Sequence, residues 1–306
     1  MPDSPSRDGV DRCRPRDSHR GGLHLIVLSG LFFSLMSLLV KAAGRDLPTM
    51  ELVFARAVVV TAVAGAAMVR RGVRATALEP GLLLLRGLIG FAALSFFYYS
   101  VVHLPLAEAT LIHFTNPVFT SIIAALLLGE RLRSAQFAMT LTGIAGVAIV
   151  VQPATLLAGG GALPPLAVAS ALAAALFSAS AYVTVRRLRH HDATVIVFAF
   201  AAVSAVIALP LMLPSFVTPR GWQWPLLLGV GLATYLGQLF LTMGLQREPA
   251  GRAMSAGSVQ VLFATAWGAI FFGDLPETSS IAGGALIVAS VFLLARLRGG
   301  GETQRP

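Results

Sequence analysis

The sequence predicts an all-α membrane protein of ten transmembrane helices arranged as two inverted five-helix repeats. Three observations predict it: long runs almost free of charge, arginines gathered in alternate connections, and a self-similarity at one constant offset.

The first observation is compositional. The chain is 56% hydrophobic and only 12% charged, about half the charged share of an ordinary soluble domain. Run after run of about 20 residues is long enough to cross a hydrocarbon core as a helix. Backbone polar groups cannot stay unpaired in lipid, so these runs are expected to be helical. The alternating ten-residue pattern of a membrane β-barrel is absent. A net charge of +9 and a pI near 11.1 would suit nucleic acid. The arginines lie mainly in the connections, however, where they set topology, so the expected partner is the lipid bilayer and no nucleic acid. Cys13, the single cysteine, excludes an intrachain disulfide and a thiolate metal site.

Residues 1–21 read as a disordered, Arg-rich cytoplasmic tail. The first span, 23–40, is too long an apolar core for a signal peptide and is followed by further spans, so it is read as retained. Spans then follow at 50–69, 81–102, 106–128, 134–151, 164–185, 193–213, 222–245, 250–272 and 279–297. Turn-forming or charged stretches separate them, such as Arg45-Asp46-Leu47-Pro48 and Thr218-Pro219-Arg220-Gly221. Residues 299–306 form a short second tail.

With the N-terminus cytoplasmic, the inner segments hold the tail arginines, Arg70, Arg71, Arg74, Arg131, Arg133, Arg186, Arg187, Arg189, Arg247, Arg252, Arg296, Arg298 and Arg305. The outer loops hold only Lys41, Arg45 and Arg220. The positive-inside rule therefore predicts a multi-pass protein of the plasma (inner) membrane with both termini cytoplasmic.

Leu104 to Glu130 aligns without a gap on Glu248 to Asp274, an offset of 144 residues. Pro105 falls on Pro249, Asn116 on Gln260, Gly129 on Gly273 and Glu130 on Asp274. That offset spans five helices, an odd number, so the halves must be inverted, an arrangement that places solute sites near the midplane between them. The units are 22–152 and 164–298, joined by a linker at 153–163 whose Gly159-Gly160-Gly161 lacks the GK[ST] of a phosphate loop.

Charged residues within spans point to function, because leaving them there costs several kcal/mol. Glu51 and Arg56 open the second span, with Arg56 roughly 9 Å in at helical rise. Arg56 has three readings: outward snorkelling, pairing with Glu51, or solute contact. Arg86 stands beside Gly87 and Gly90, which permit close helix approach, and is expected to snorkel toward the cytoplasm. The fourth span carries Glu108, His113 and Asn116 near one face, and Pro117 weakens the helix there. Glu108 also fits a favourable place at a helix start. In the second half, Tyr235, Gln238 and Thr242 share a face, and Ser255, Ser258 and Gln260 lie in the ninth span. Tyr98, Tyr99, Trp222 and Trp224 stand near span ends, as in an aromatic belt, with Tyr99 a candidate to face the pathway instead.

No GxSxG, HExxH or Walker motif occurs, and His190-His191-Asp192 reads as a solvated loop. The expectation is no enzyme, no metal and no cofactor.

Arg86-Gly87, Gly90, Tyr98-Tyr99, Leu106-Ala107-Glu108-Ala109-Thr110, Pro117-Val118-Phe119 and Gly129-Glu130 together resemble EamA-type members of the drug/metabolite transporter superfamily. The stretch around PLAEAT and PVFTSI is similar to the G branch of the solute carrier 35 group. The second unit departs from the pattern, with Val261 in place of the expected proline and Asp274 in place of glutamate. The resemblance implies a central cavity formed largely by spans 1, 3, 4, 6, 8 and 9, and alternating access.

The expected function is a secondary transporter, an exporter or exchanger, of a small polar metabolite. Tyr99, Glu108, His113, Asn116, Tyr235, Gln238 and Gln260 are the candidate pathway residues, and Glu51, Arg56 and Arg86 are structural or gating charges. His113 or Glu108 is the candidate carrier of a coupling proton. A membrane enzyme of lipid metabolism would need convergent reactive groups, which are missing. A non-transporting membrane protein would fill its interior with apolar side chains. Solute identity, direction and oligomeric state, monomer or homodimer, stay open.

Overall fold

Among the described residues, the long apolar runs form helices. The computed structural model describes residues 20–73, 79–128, 134–151, 163–247, 257 and 259–299. The expected tails through 19 and from 300, Cys13, most of the linker, Ser255 and Ser258 lie outside the described residues. The described residues form α-helices without strands: α1 (Arg20–Ala43), α2 (Thr49–Arg71), α3 (Pro80–His103), α4 (Leu106–His113), α5 (Asn116–Leu128), α6 (Ser134–Val151), α7 (Pro165–Arg187), α8 (Ala193–Met212), α9 (Gln223–Arg247), α10 (Val259–Trp267) and α11 (Thr278–Gly299). Six of them, α1, α2, α3, α7, α8 and α9, are long and apolar enough to cross a membrane. Parts of α6, α10 and α11 are shorter apolar helices.

Local chemistry sets the helix ends. Pro48, Pro80 and Pro164 open α2, α3 and α7, where a missing N–H costs nothing. Gly72 closes α2 at φ 64°, a left-handed position natural to glycine. Asp192 caps α8, its carboxylate accepting from the Thr194 N–H at 2.8 Å.

The expected fourth span is two helices, broken at Phe114 and Thr115. Pro117 has no N–H to donate to the His113 carbonyl four residues earlier, which is where α4 stops. Val261 occupies the corresponding place in α10, which runs on unbroken into a π-helical turn, Gly268–Phe272.

The interhelical pairings have an internal regularity. α1 packs on α9 and α3 on α7; α2 packs on α8, and α6 on α11. α2 also meets α9 as α3 meets α8, and α1 meets α10 as α7 meets α4 and α5. Exchanging α1–α6 with α7–α11 in order, α4 and α5 counting as one unit, leaves this set of pairings unchanged. Large apolar side chains such as Val69, Val206, Leu166 and Leu262 remain exposed on the outer faces, as expected of surfaces that meet lipid rather than water.

Candidate functional site: a cavity holding two arginines

Between the two sets of helices lies a cavity with about 600 Å3 of space free of protein atoms, part of it open to the surroundings. Phe33 and Met36 of α1, Arg56 of α2, Arg86, Gly90, Ala93, Leu94 and Phe97 of α3 and His113 of α4 line one side. Ser178 and Tyr182 of α7, Phe200 of α8, Thr234 and Gln238 of α9 and Gln260 of α10 complete it.

The arginines dominate the electrostatics. Arg56 is 0% exposed and Arg86 3%. Their guanidinium carbons stand 4.7 and 4.4 Å from the centroid of one ring, Phe200. The two charges are therefore no farther apart than those distances combined, about 9 Å. All three Arg56 side-chain nitrogens, and Nε and Nη1 of Arg86, have no hydrogen-bond partner. Each cation–π contact is worth about 0.5–2 kcal/mol, whereas an unpaired buried charge costs several kcal/mol. The ring alone does not balance the cost.

The described carboxylates are all placed elsewhere. Glu51 accepts from the Val217 N–H at 3.1 Å, and Asp46 from Gln223 Nε2 at 3.2 Å. Glu108 accepts from Ser280 Oγ at 2.8 Å. Asp192 and Asp274 pair with Arg71 and Lys41, Glu277 faces Ser279, and Glu79 opens α3. Among the described residues, neither cavity arginine has a carboxylate partner.

This arrangement corrects two expectations. Arg86 does not snorkel, because Gly87 and Gly90 let α8 close over it. A Cβ at Gly87 would fall 2.7 Å from Val203, and one at Gly90 2.6 Å from the Phe200 ring. Glu51 does not pair with Arg56, since its carboxylate is drawn to the loop after α8.

The remaining candidates divide. His113, Gln238 and Gln260 line the cavity. The His113 ring lies 4.5 Å from that of Phe97, and its Nδ1 has no hydrogen-bond partner. Tyr99, Glu108, Asn116 and Tyr235 stand outside it. Tyr99 stacks on His103 with ring centroids 4.1 Å apart. Glu108 ties α4 to α11. Asn116 is buried at the start of α5. Tyr235 packs with Val60, Ala64, Val197 and Ala201. Trp222 and Trp224 are exposed near a helix end, as a belt requires, but Tyr98 is fully buried.

Sequence reasoning missed Tyr182, Ser178, Thr234 and Phe200. Ser178 with Tyr182, and Thr234 with Gln238, are four apart on their helices and mark the cavity face. Choosing Tyr235 instead of Thr234 turned that face of α9 by one residue. Phe200 lies among apolar residues of a mostly apolar helix and carries no distinguishing mark.

Comparison with known proteins agrees with this architecture. The EamA-like transporter family model matches residues 20–152 and 165–296. The pseudopaline exporter CntI of Pseudomonas aeruginosa is 35% identical over 287 residues, covering 93% of this chain and 99% of that protein. Human solute carrier family 35 member G1 is 30% identical over 284 residues, covering 88% of this chain and 77% of the human one. A crystal structure shares the fold at a TM-score of 0.67 and 22% identity, over 92% of this chain and 99% of that one. The chain is thus a multi-pass membrane protein and belongs to the EamA-like transporter family.

Proposed function

We propose that the protein is a secondary transporter, an exporter or exchanger, that moves a small polar metabolite by alternating access through the Arg56–Arg86 cavity. The observation that carries this reading is a cavity that holds Arg56, Arg86, His113, Gln238 and Gln260 within a largely apolar wall and draws its lining from both family-matched segments. A non-transporting bundle would have filled that space with apolar side chains. The pairing regularity supports two equivalent units, 22–152 and 164–298; five spans in each would invert one against the other, and the arginine-rich connections favour cytoplasmic termini. The Pseudomonas relative is named as an exporter, which favours outward movement here. Of the two candidates for a coupling proton, only His113 lines the cavity; flux unaffected by a pH gradient removes that role.

The test is a thermal-shift screen of the purified full chain against a metabolite library, followed by flux of each hit in proteoliposomes. Accumulation or exchange of a hit, weakened by Gln238→Leu and Gln260→Leu, is the expected result. Hits that bind the cavity yet never cross the bilayer would overturn the reading.

A further inference from the structure

We propose that the solute carries a carboxylate or phosphate group, and that Arg56 and Arg86 together bind that oxyanion. The inference rests on the transport reading for its use of the cavity, but its support is electrostatic. Two guanidiniums are buried against one aromatic ring, Phe200, and both line the cavity. All three Arg56 nitrogens and Nε and Nη1 of Arg86 lack protein acceptors, and every described carboxylate is placed elsewhere. A guanidinium presents its N–H groups in a planar fork that matches the two oxygens of a carboxylate or phosphate. A doubly negative group, or two single ones, would neutralise both charges and supply the missing acceptors at once.

The surroundings describe the rest of the solute. Gln238 and Gln260 offer amides that both donate and accept, while Phe33, Met36 and Phe97 provide apolar wall. That apolar wall has nothing to match in a bare inorganic ion, so the oxyanion is expected to be part of an organic molecule. A cationic solute would meet two like charges in a site of low dielectric, which strongly disfavours it.

The experiment uses the full chain in detergent or nanodiscs and four probe sets. These are dicarboxylates (succinate, glutarate, N-acetylglutamate), sugar and glycerol phosphates, the neutral diamide succinamide, and the polyamine spermidine. Thermal shift and titration calorimetry should show binding by one anionic set and none by succinamide or spermidine at tenfold higher concentration. The set that binds tells carboxylate from phosphate. Arg56→Gln and Arg86→Gln should each weaken that binding by about tenfold or more, the size of a lost charge-assisted contact. Arg56→Lys and Arg86→Lys, which keep the charge but not the fork, should fall between. Sulfate should compete with the anion for the wild-type protein, a result that needs no variant to fold. Equal binding of succinamide, binding of spermidine alone, indifference to the arginine substitutions, or no binding of either anionic set would each overturn the proposal. Proteoliposome flux separates it from the broader reading. Flux confined to neutral or cationic solutes sinks the anion site and leaves transport standing. Arginine-dependent anion binding without flux does the reverse.

Discussion

Lys41 Nζ stands 3.3 Å from Asp274 Oδ2 while donating to the Leu104 carbonyl at 2.6 Å. One ammonium therefore ties the end of α1 to the α3–α4 link and to the segment that follows α10. The contact to Asp274 is ionic without hydrogen-bond alignment, and Phe272 lies 5.4 Å beneath the same ammonium. At the other end, Arg71 reaches Asp192 at 3.1 Å and Thr194 at 3.0 Å. The bundle is latched at both ends by contacts between its halves.

The Lys41 latch predicts a change in access. In a Cys13→Ser, Ser178→Cys background, Asp274→Asn should speed labelling of the cavity cysteine from the α1–α2 loop side about fivefold. That is the rate gain from losing about 1 kcal/mol in a partly exposed pair. Labelling by a membrane-impermeant maleimide measures it, and an unchanged rate would show that this contact does not hold the cavity closed.

Asp192 does two things, capping α8 and pairing with Arg71. Asp192→Ala should cost about 1 kcal/mol through the lost cap, lowering Tm by about 2–4 °C. Asp192→Asn keeps a capping oxygen and should cost less, as should Arg71→Ala, whose side chain is largely exposed. Thermal unfolding in detergent ranks the three; equal losses would place the stabilisation in the ion pair instead.

Close approach at Gly87 predicts a rescue. Gly87→Ala should destabilise by about 1–3 kcal/mol, the usual effect of overpacking, because its Cβ meets Val203. Adding Val203→Ala should recover most of that loss. A double-mutant cycle by thermal or denaturant unfolding reads the coupling, and purely additive effects would contradict the packing described.

Pro117→Ala supplies the N–H that the His113 carbonyl lacks, removing a break worth about 3 kcal/mol within a helix. Hydrogen exchange across 114–120 should slow several-fold, and flux should fall as α4 and α5 join. Unchanged exchange would mean that tertiary packing, not the proline, sets the break.

How far the sequence could be read depended on whether a property is local. The apolar runs, the proline starts of α2, α3 and α7, and the weakness at Pro117 follow from residues near one another in the chain. The placement of Arg86 does not. From composition it lies at a depth where a long side chain reaches water, and only the crossing of α8 over Gly87 and Gly90 covers it. Glu108 likewise turns on Ser280, which lies 172 residues away. Of the polar face expected along the fourth span, His113 alone lines the cavity, while Asn116, beyond the break, is buried outside it. The rotation of α9 was not legible from spacing alone, since Tyr235 with Gln238 and Thr234 with Gln238 both fit one helical face, and only the cavity lining separates them.

Two guanidiniums sharing Phe200 also have an electrical consequence. Under the proposed change of access, an empty cavity would carry two positive charges through part of the membrane field, each worth up to about 2.3 kcal/mol per 100 mV. With a divalent anion aboard, the same step moves almost no net charge. Voltage would then act on the empty return rather than on delivery. In a membrane negative inside, it would hold the resting carrier facing inward, ready to load.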